Sequence, residues 1–129
     1  MLTPIHHEIS FKVDPHRVYE ALMDPNRHAD FTANGAVEMS RQAGGAFSTH
    51  GGQIVGRNIE VLPDSRIVQA WRVSDWPEGV YSLVKFDLEV EGSGTRLVFD
   101  HWGFPEGTRD HLDAGWTSRY WQPLGKYLE

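Results

Sequence analysis

Two residues stand out for polar chemistry inside an apolar setting. His101 shares strand parity with Leu97 and Phe99, so an inward-facing imidazole is expected at the end of a central strand. A neutral imidazole there could donate a hydrogen bond to a ligand carbonyl or serve as a general base. The reading favoured over these is a structural histidine bonded to backbone at the helix entrance. Arg57 shares parity with Ile59 and Val61. If those two face a hollow, the guanidinium does too and could hold a carboxylate or carbonyl; the alternative is an ion pair at the sheet edge.

Trp71 lies on one strand face with Ile67 and Gln69, and Trp116 and Tyr120 lie on the apolar stripe of a C-terminal helix. Each reads either as core packing or as the wall of a pocket. Asp110, His111 and Asp113 open that same helix, where acidic groups suit the positive helix end and imply capping rather than catalysis.

Several chemistries have no support. The 129 residues include no cysteine, which removes disulfides, thiolate nucleophiles and thiolate-bound metals. His6 and His7 are adjacent and would face opposite ways on a strand; His50, His101 and His111 fall in separate elements, so no metal and no other cofactor is expected. No nucleophile elbow occurs, and Gly44-Gly45 and Gly51-Gly52 lack the phosphate-loop pattern. The net charge of −6, without a basic stripe, argues against nucleic acid. No stretch is long enough to span a membrane, and the start, Met1 to Glu8, lacks the features of a signal peptide, so a cytoplasmic domain is expected.

These residues need elements to hold them. Residues 5–13 alternate, with Ile5, Ile9, Phe11 and Val13 on one face and His7 the polar exception. Asp14-Pro15 and Asp24-Pro25 each supply an N-cap followed by proline at the first helical position, which predicts two short helices. From residue 36 to 103, turn signals at Gly44-Gly45, Gly51-Gly52, Pro63-Asp64-Ser65, Pro77-Glu78-Gly79 and Gly92-Ser93-Gly94 punctuate apolar runs. Short turns cannot make parallel crossovers, so an antiparallel meander is predicted. Val84, Phe86, Leu88 and Val90 form the dry face of one strand; Leu97, Phe99 and His101 form that of the next. Leu112, Trp116, Tyr120, Leu124 and Leu128 then recur every four residues, predicting one long helix bent near Pro123.

The expected fold is α+β: a curved antiparallel sheet wrapped around a long C-terminal helix, with two short helices after the first strand, as one domain over residues 1–129. Between sheet and helix a cavity is expected, lined by Arg57, Ile59, Trp71, Val84, Phe86 and Leu88 from the first half of the sheet. Leu97, Phe99, His101, Leu112, Trp116 and Tyr120 complete it.

The order of landmarks resembles the SRPBCC superfamily, the START-like helix-grip fold typified by the birch allergen. Within it the chain is most similar to the branch named for the activator of heat-shock-protein ATPase homologue. The resembling residues are Val18-Tyr19-Glu20-Ala21-Leu22 with Asp24-Pro25, Gly44-Gly45-Ala46-Phe47, Gly56 through Pro63, and Ile67 through Arg72. Gly94-Thr95-Arg96-Leu97, His101-Trp102-Gly103-Phe104-Pro105, Gly115-Trp116, Tyr120-Trp121 and Leu124 continue the match. Many members carry paired aromatics near the end of the second short helix, where this chain has Asp30-Phe31-Thr32.

The resemblance implies a helix-grip fold but no transferable catalytic motif, because the superfamily hosts carriers, receptors, cyclases, dehydratases and co-chaperone domains. Three functions follow. The first is binding of a small apolar or aromatic molecule in the cavity. The second is acid–base catalysis of cyclase or dehydratase type through His101 or Arg57. The third is a chaperone-associated protein-binding module, ranked last because the chain begins directly at the first strand. The polar sheet face leaves room for a homodimer.

Overall fold

A computed structural model describes residues 3–129; the first two positions of the N-terminal stretch read for a leader lie outside the described residues. Strand β1 (Ile5–Phe11) is followed by helices α1 (Pro15–Met23) and α2 (Pro25–Thr32). Asp14 caps α1 by accepting from the Arg17 amide at 3.0 Å, and Asp24 caps α2 through the Asn26 and Arg27 amides. Both prolines occupy the first turn, where no intrahelical N–H is needed.

Then come β2 (Glu38–Met39), β3 (Ala46–Thr49), a 3₁₀ turn (His50–Gly52), β4 (Ile54–Leu62), β5 (Arg66–Val73), β6 (Ser82–Glu91) and β7 (Gly94–Trp102). All seven pair antiparallel in the order β1-β7-β6-β5-β4-β3-β2. The parity read on β6 and β7 holds: Val84, Phe86, Leu88, Leu97, Phe99 and His101 are all buried. Val90, next to the β6–β7 turn, departs from it and is 76% exposed.

Strand β4 departs as well. Asn58 pairs with Gln69 and Glu60 with Val68, which leaves Ile59 as an extra, bulged residue. The bulge breaks the two-residue period. The inward positions are therefore Asn58 and, beyond the bulge, the partly buried Val61, while Arg57 and Ile59 are exposed.

The C-terminal helix runs as α3 (Arg109–Trp116), a π turn (Thr117–Trp121) and α4 (Gln122–Tyr127). Two features of the sequence meet in that π turn. Pro123 has no N–H for an ordinary helical bond, and here the Gln122 amide reaches back to the Thr117 carbonyl. The apolar stripe also recurs every four residues, so an unbroken α-helix would rotate it by roughly 40° per step. The wider turn removes part of that drift, and Leu112, Trp116, Tyr120, Leu124 and Leu128 all stay buried, with Trp121 beside them. The predicted bend near Pro123 is thus a change of winding just before it.

Candidate functional site

The middle of the bowl is filled. Trp116 packs on Phe99 with ring centroids 4.4 Å apart, stacks on Trp121 at 5.6 Å, and meets Trp71 at 5.6 Å. Under these rings remains a void of about 10 Å³ bordered by Phe86, Met23 and Tyr120, room for a single water molecule. Val84, Leu88, Leu97 and Phe99, expected to line a cavity, are core residues instead.

The usable space is a half-open groove at one end of the bowl, with a volume of about 570 Å³. It runs between the ends of β4 and β5, the segment after β5 and the first turns of the C-terminal helix. Of the twelve residues expected from the sequence, Trp71, Leu112, Trp116 and Tyr120 lie on its walls. The other walls include His50, Trp76, His111, Gly115 and Arg119, none of which the sequence reading assigned to a pocket. Trp76 sits in a loop next to Pro77 and shares no strand or helix period, so no pattern announced it. Gly115 carried a signal, a glycine inside a helix; a Cβ built there meets nothing within 4 Å, because it faces the groove.

Histidines tie the closing helix to the rest of the fold. Trp116 donates its indole N–H to His101 Nδ1 at 3.0 Å. His101 Nε2 then carries the proton and donates to Ser82 Oγ at 2.8 Å, whose hydroxyl donates to the Trp71 carbonyl. Trp121 donates to His7 Nδ1 at 2.8 Å, and His7 Nε2–H donates to Asp113. That explains the polar exception in β1. His28 Nδ1–H donates to the Leu22 carbonyl at 2.9 Å, so its Nε2 accepts from the Tyr120 hydroxyl at 3.2 Å. Burial pushes His101 down to about 3 and His28 down to about 4, keeping both neutral as these bonds require, and pushes the Tyr120 phenol up.

His101 therefore has both ring nitrogens engaged in structural bonds. Arg57 is outside, its guanidinium donating to the Gly44 carbonyl at 3.1 Å. In this arrangement neither is free to carry acid–base chemistry in the groove. The buried polar residue of β4 is its neighbour Asn58, which donates to the Ser40 and Gln42 carbonyls and accepts from Gln69.

A curved antiparallel sheet gripping a C-terminal helix, with two short helices after the first strand, defines a START-like helix-grip domain. Within that class, residues 12–129 match the family described as "Activator of Hsp90 ATPase homolog 1-like protein", and the chain belongs to it. It is 32% identical over 107 residues to the activator of 90 kDa heat shock protein ATPase homolog of Dictyostelium discoideum, covering 82% of this chain and 28% of that one. To homolog 1 of Homo sapiens it is 25% identical over 116 residues, covering 89% and 34%. The chain thus spans about a third of the length of the curated relatives it matches. Among solved structures, an HSP90 activator from Plasmodium falciparum superposes with a TM-score of 0.93 at 24% identity, covering 98% of this chain and 96% of that one. The Aha1 dimer from Colwellia psychrerythraea gives 0.84 at 21%, covering 99% and 97%. No described helix is long and apolar enough to cross a membrane.

Proposed function

We propose that this domain binds a chaperone ATPase of the Hsp90 class and modulates its turnover. The observation that carries this reading is the family match across residues 12–129, strengthened by 32% identity over 107 residues to a relative described as an activator of that ATPase. It reverses the order of functions suggested by the sequence, where protein binding came last. It also makes the cytoplasm the expected compartment. The test is direct: titrate the purified chain into the Hsp90-class chaperone of its own source, and follow ATP hydrolysis together with complex formation by surface plasmon resonance. Saturable binding with Kd on the order of 10 μM or tighter, with a changed hydrolysis rate, supports the reading. Neither binding nor a rate change at several times that concentration refutes it. The Colwellia relative is described as a dimer, and we extend a homodimer to this chain; light scattering across a concentration series tests it.

A second reading rests on a separate observation. The groove of about 570 Å³, walled by Trp71, Trp76, Trp116 and Tyr120, has the size and apolar character of a small-molecule site. We propose that it takes a small apolar or aromatic ligand. Native mass spectrometry of freshly purified protein should reveal a co-purifying small molecule. A ligand-free spectrum together with no binding from an aromatic fragment set excludes this reading and leaves the first untouched.

A further inference from the structure

The outer face of the sheet, turned away from the C-terminal helix, has two unlike halves. Toward the β6–β7 turn, ion pairs cover it: Arg66 bonds Asp87, Arg96 bonds Glu8, and Lys85 lies between Asp87 and Asp100. At the other end the residue types change. The pairings Trp102↔Leu83, Leu83↔Ala70 and Ala70↔Arg57 lay one row of outward side chains across β7, β6, β5 and β4. Tyr81 and Arg72 stand beside that row, the guanidinium carbon 5.7 Å from the phenol ring centroid. Trp102 is 36% exposed and Tyr81 50%, while every other tryptophan of the chain is buried. A central strand of the sheet thus spends an outward position on an indole.

The charge of this half is as distinct as its shape. Among the described residues, neither of its arginines forms an ion pair; Arg57 donates to the Gly44 carbonyl and Arg72 to the Trp76 carbonyl at 2.6 Å. Two uncompensated cations beside exposed aromatics, on a chain of net charge −6, call for an acidic surface. Arg72 is also held still, between the Tyr81 ring and the loop carbonyl, so little side-chain freedom remains to be lost on binding. Tryptophan, tyrosine and arginine are the types in which interface energy concentrates, inside a polar rim. The ion-paired half of the same face supplies such a rim.

We infer that this half of the outer sheet face is where the partner protein docks, with Trp102 and Tyr81 as apolar anchors and Arg57 and Arg72 meeting carboxylates of an acidic surface. This rests on the chain binding an Hsp90-class ATPase, and it adds the face used and the charge of the surface met there. A second copy of the chain is the poorer occupant, because packing the patch on itself about a two-fold axis sets guanidinium against guanidinium. The bulge at Ile59 belongs to the device, since it is what turns Arg57 outward.

The test measures affinity for the Hsp90-class chaperone by surface plasmon resonance with the wild-type chain and three variants. Trp102→Ala should weaken binding about tenfold or more. Arg57→Glu should do the same, chiefly through slower association, because it reverses a charge that steers the encounter. Val90→Ser removes the most exposed large apolar side chain, at the opposite end of β6, and should bind as the wild type does. If Trp102→Ala fails to fold, Arg57→Glu decides alone, its side chain being exposed. Unchanged affinity in a folded Trp102→Ala or in Arg57→Glu, or equal weakening by Val90→Ser, overturns the inference and leaves the partner reading standing. A wild-type chain that does not bind overturns both.

Discussion

Trp116 and His101 are joined by a hydrogen bond that crosses from the C-terminal helix to the centre of the sheet, 3.0 Å from indole Nε1 to imidazole Nδ1. Both partners are buried, so neither has water to fall back on. Trp116→Phe keeps an aromatic ring against Phe99 but strips His101 of its donor and opens space beside Trp71. The expected loss is about 2–3 kcal/mol, a sum of an orphaned acceptor and a small cavity. Urea denaturation should read it as a lower midpoint at unchanged slope. A loss within half a kcal/mol of zero would show that the bond contributes little to closure.

Acid should open the same seam. His28 and His101 sit at about 4 and about 3 in the folded chain, below the ordinary 6.5. Between those values the unfolded chain binds protons that the folded chain refuses, so stability falls as pH falls. Their contribution is whole above about pH 6.5 and is lost progressively toward pH 4 and below. At pH 4.5 the two together remove on the order of 5 kcal/mol, comparable with the whole stability of a small domain. His6 works in the opposite direction. Hydrogen bonds to Asp100 and Glu8 raise it, so its contribution is present below 6.5 and fades as pH rises through the raised value. Because His6 is exposed, its effect is a minor correction. Thermal melts should show Tm dropping steeply between pH 6.5 and 4.5; a flat Tm across that interval contradicts the assignment.

The architecture was legible because its signals are periodic. Alternation on β6 and β7, the Asp-Pro starts of α1 and α2, and the stripe from Leu112 to Leu128 each repeat a pattern that one element imposes. What was not legible is aperiodic. One extra residue at Ile59 flips the face of everything before it in β4, turning Arg57 outward and Asn58 inward. The notion of an open bowl failed because spacing places Trp116, Trp121, Phe86 and Phe99 on facing surfaces without saying how far their rings interdigitate. The groove lies where loops meet the helix, and loops carry Trp76 and His50 without any period to reveal them.

Positions 57 and 58 give that correction a measurable form. Arg57 is exposed and donates to one carbonyl, so Arg57→Ala should change stability by less than about 0.5 kcal/mol. Asn58 is 1% exposed, and its amide nitrogen faces the Ser40 and Gln42 carbonyls. Asn58→Asp is nearly isosteric but turns a donor toward two acceptors into a third acceptor, with a buried charge. A loss of about 3 kcal/mol or more is expected at neutral pH, partly recovered on acidification as the carboxyl protonates. Were the two variants equally stable, β4 would have to be paired in the unbulged register.

Gly115 separates the two functional readings. A helix-interior glycine is less favourable than alanine by about 1 kcal/mol, and here nothing occupies the space a Cβ would take. Gly115→Ala should therefore stabilise the fold by up to about 1 kcal/mol, read as a raised Tm. Gly115→Leu keeps a good helix former and projects a branched side chain into the groove that Trp71 and Trp116 help to wall. It should retain the native far-ultraviolet circular dichroism while weakening aromatic ligands at least tenfold through occupied volume. If chaperone modulation uses another face of the domain, the same variant should bind and modulate the Hsp90-class ATPase as the wild type does. Loss of both activities in a folded Gly115→Leu chain would place the partner protein on the groove itself. Undiminished ligand binding would show that the aromatic walls are not where small molecules lodge.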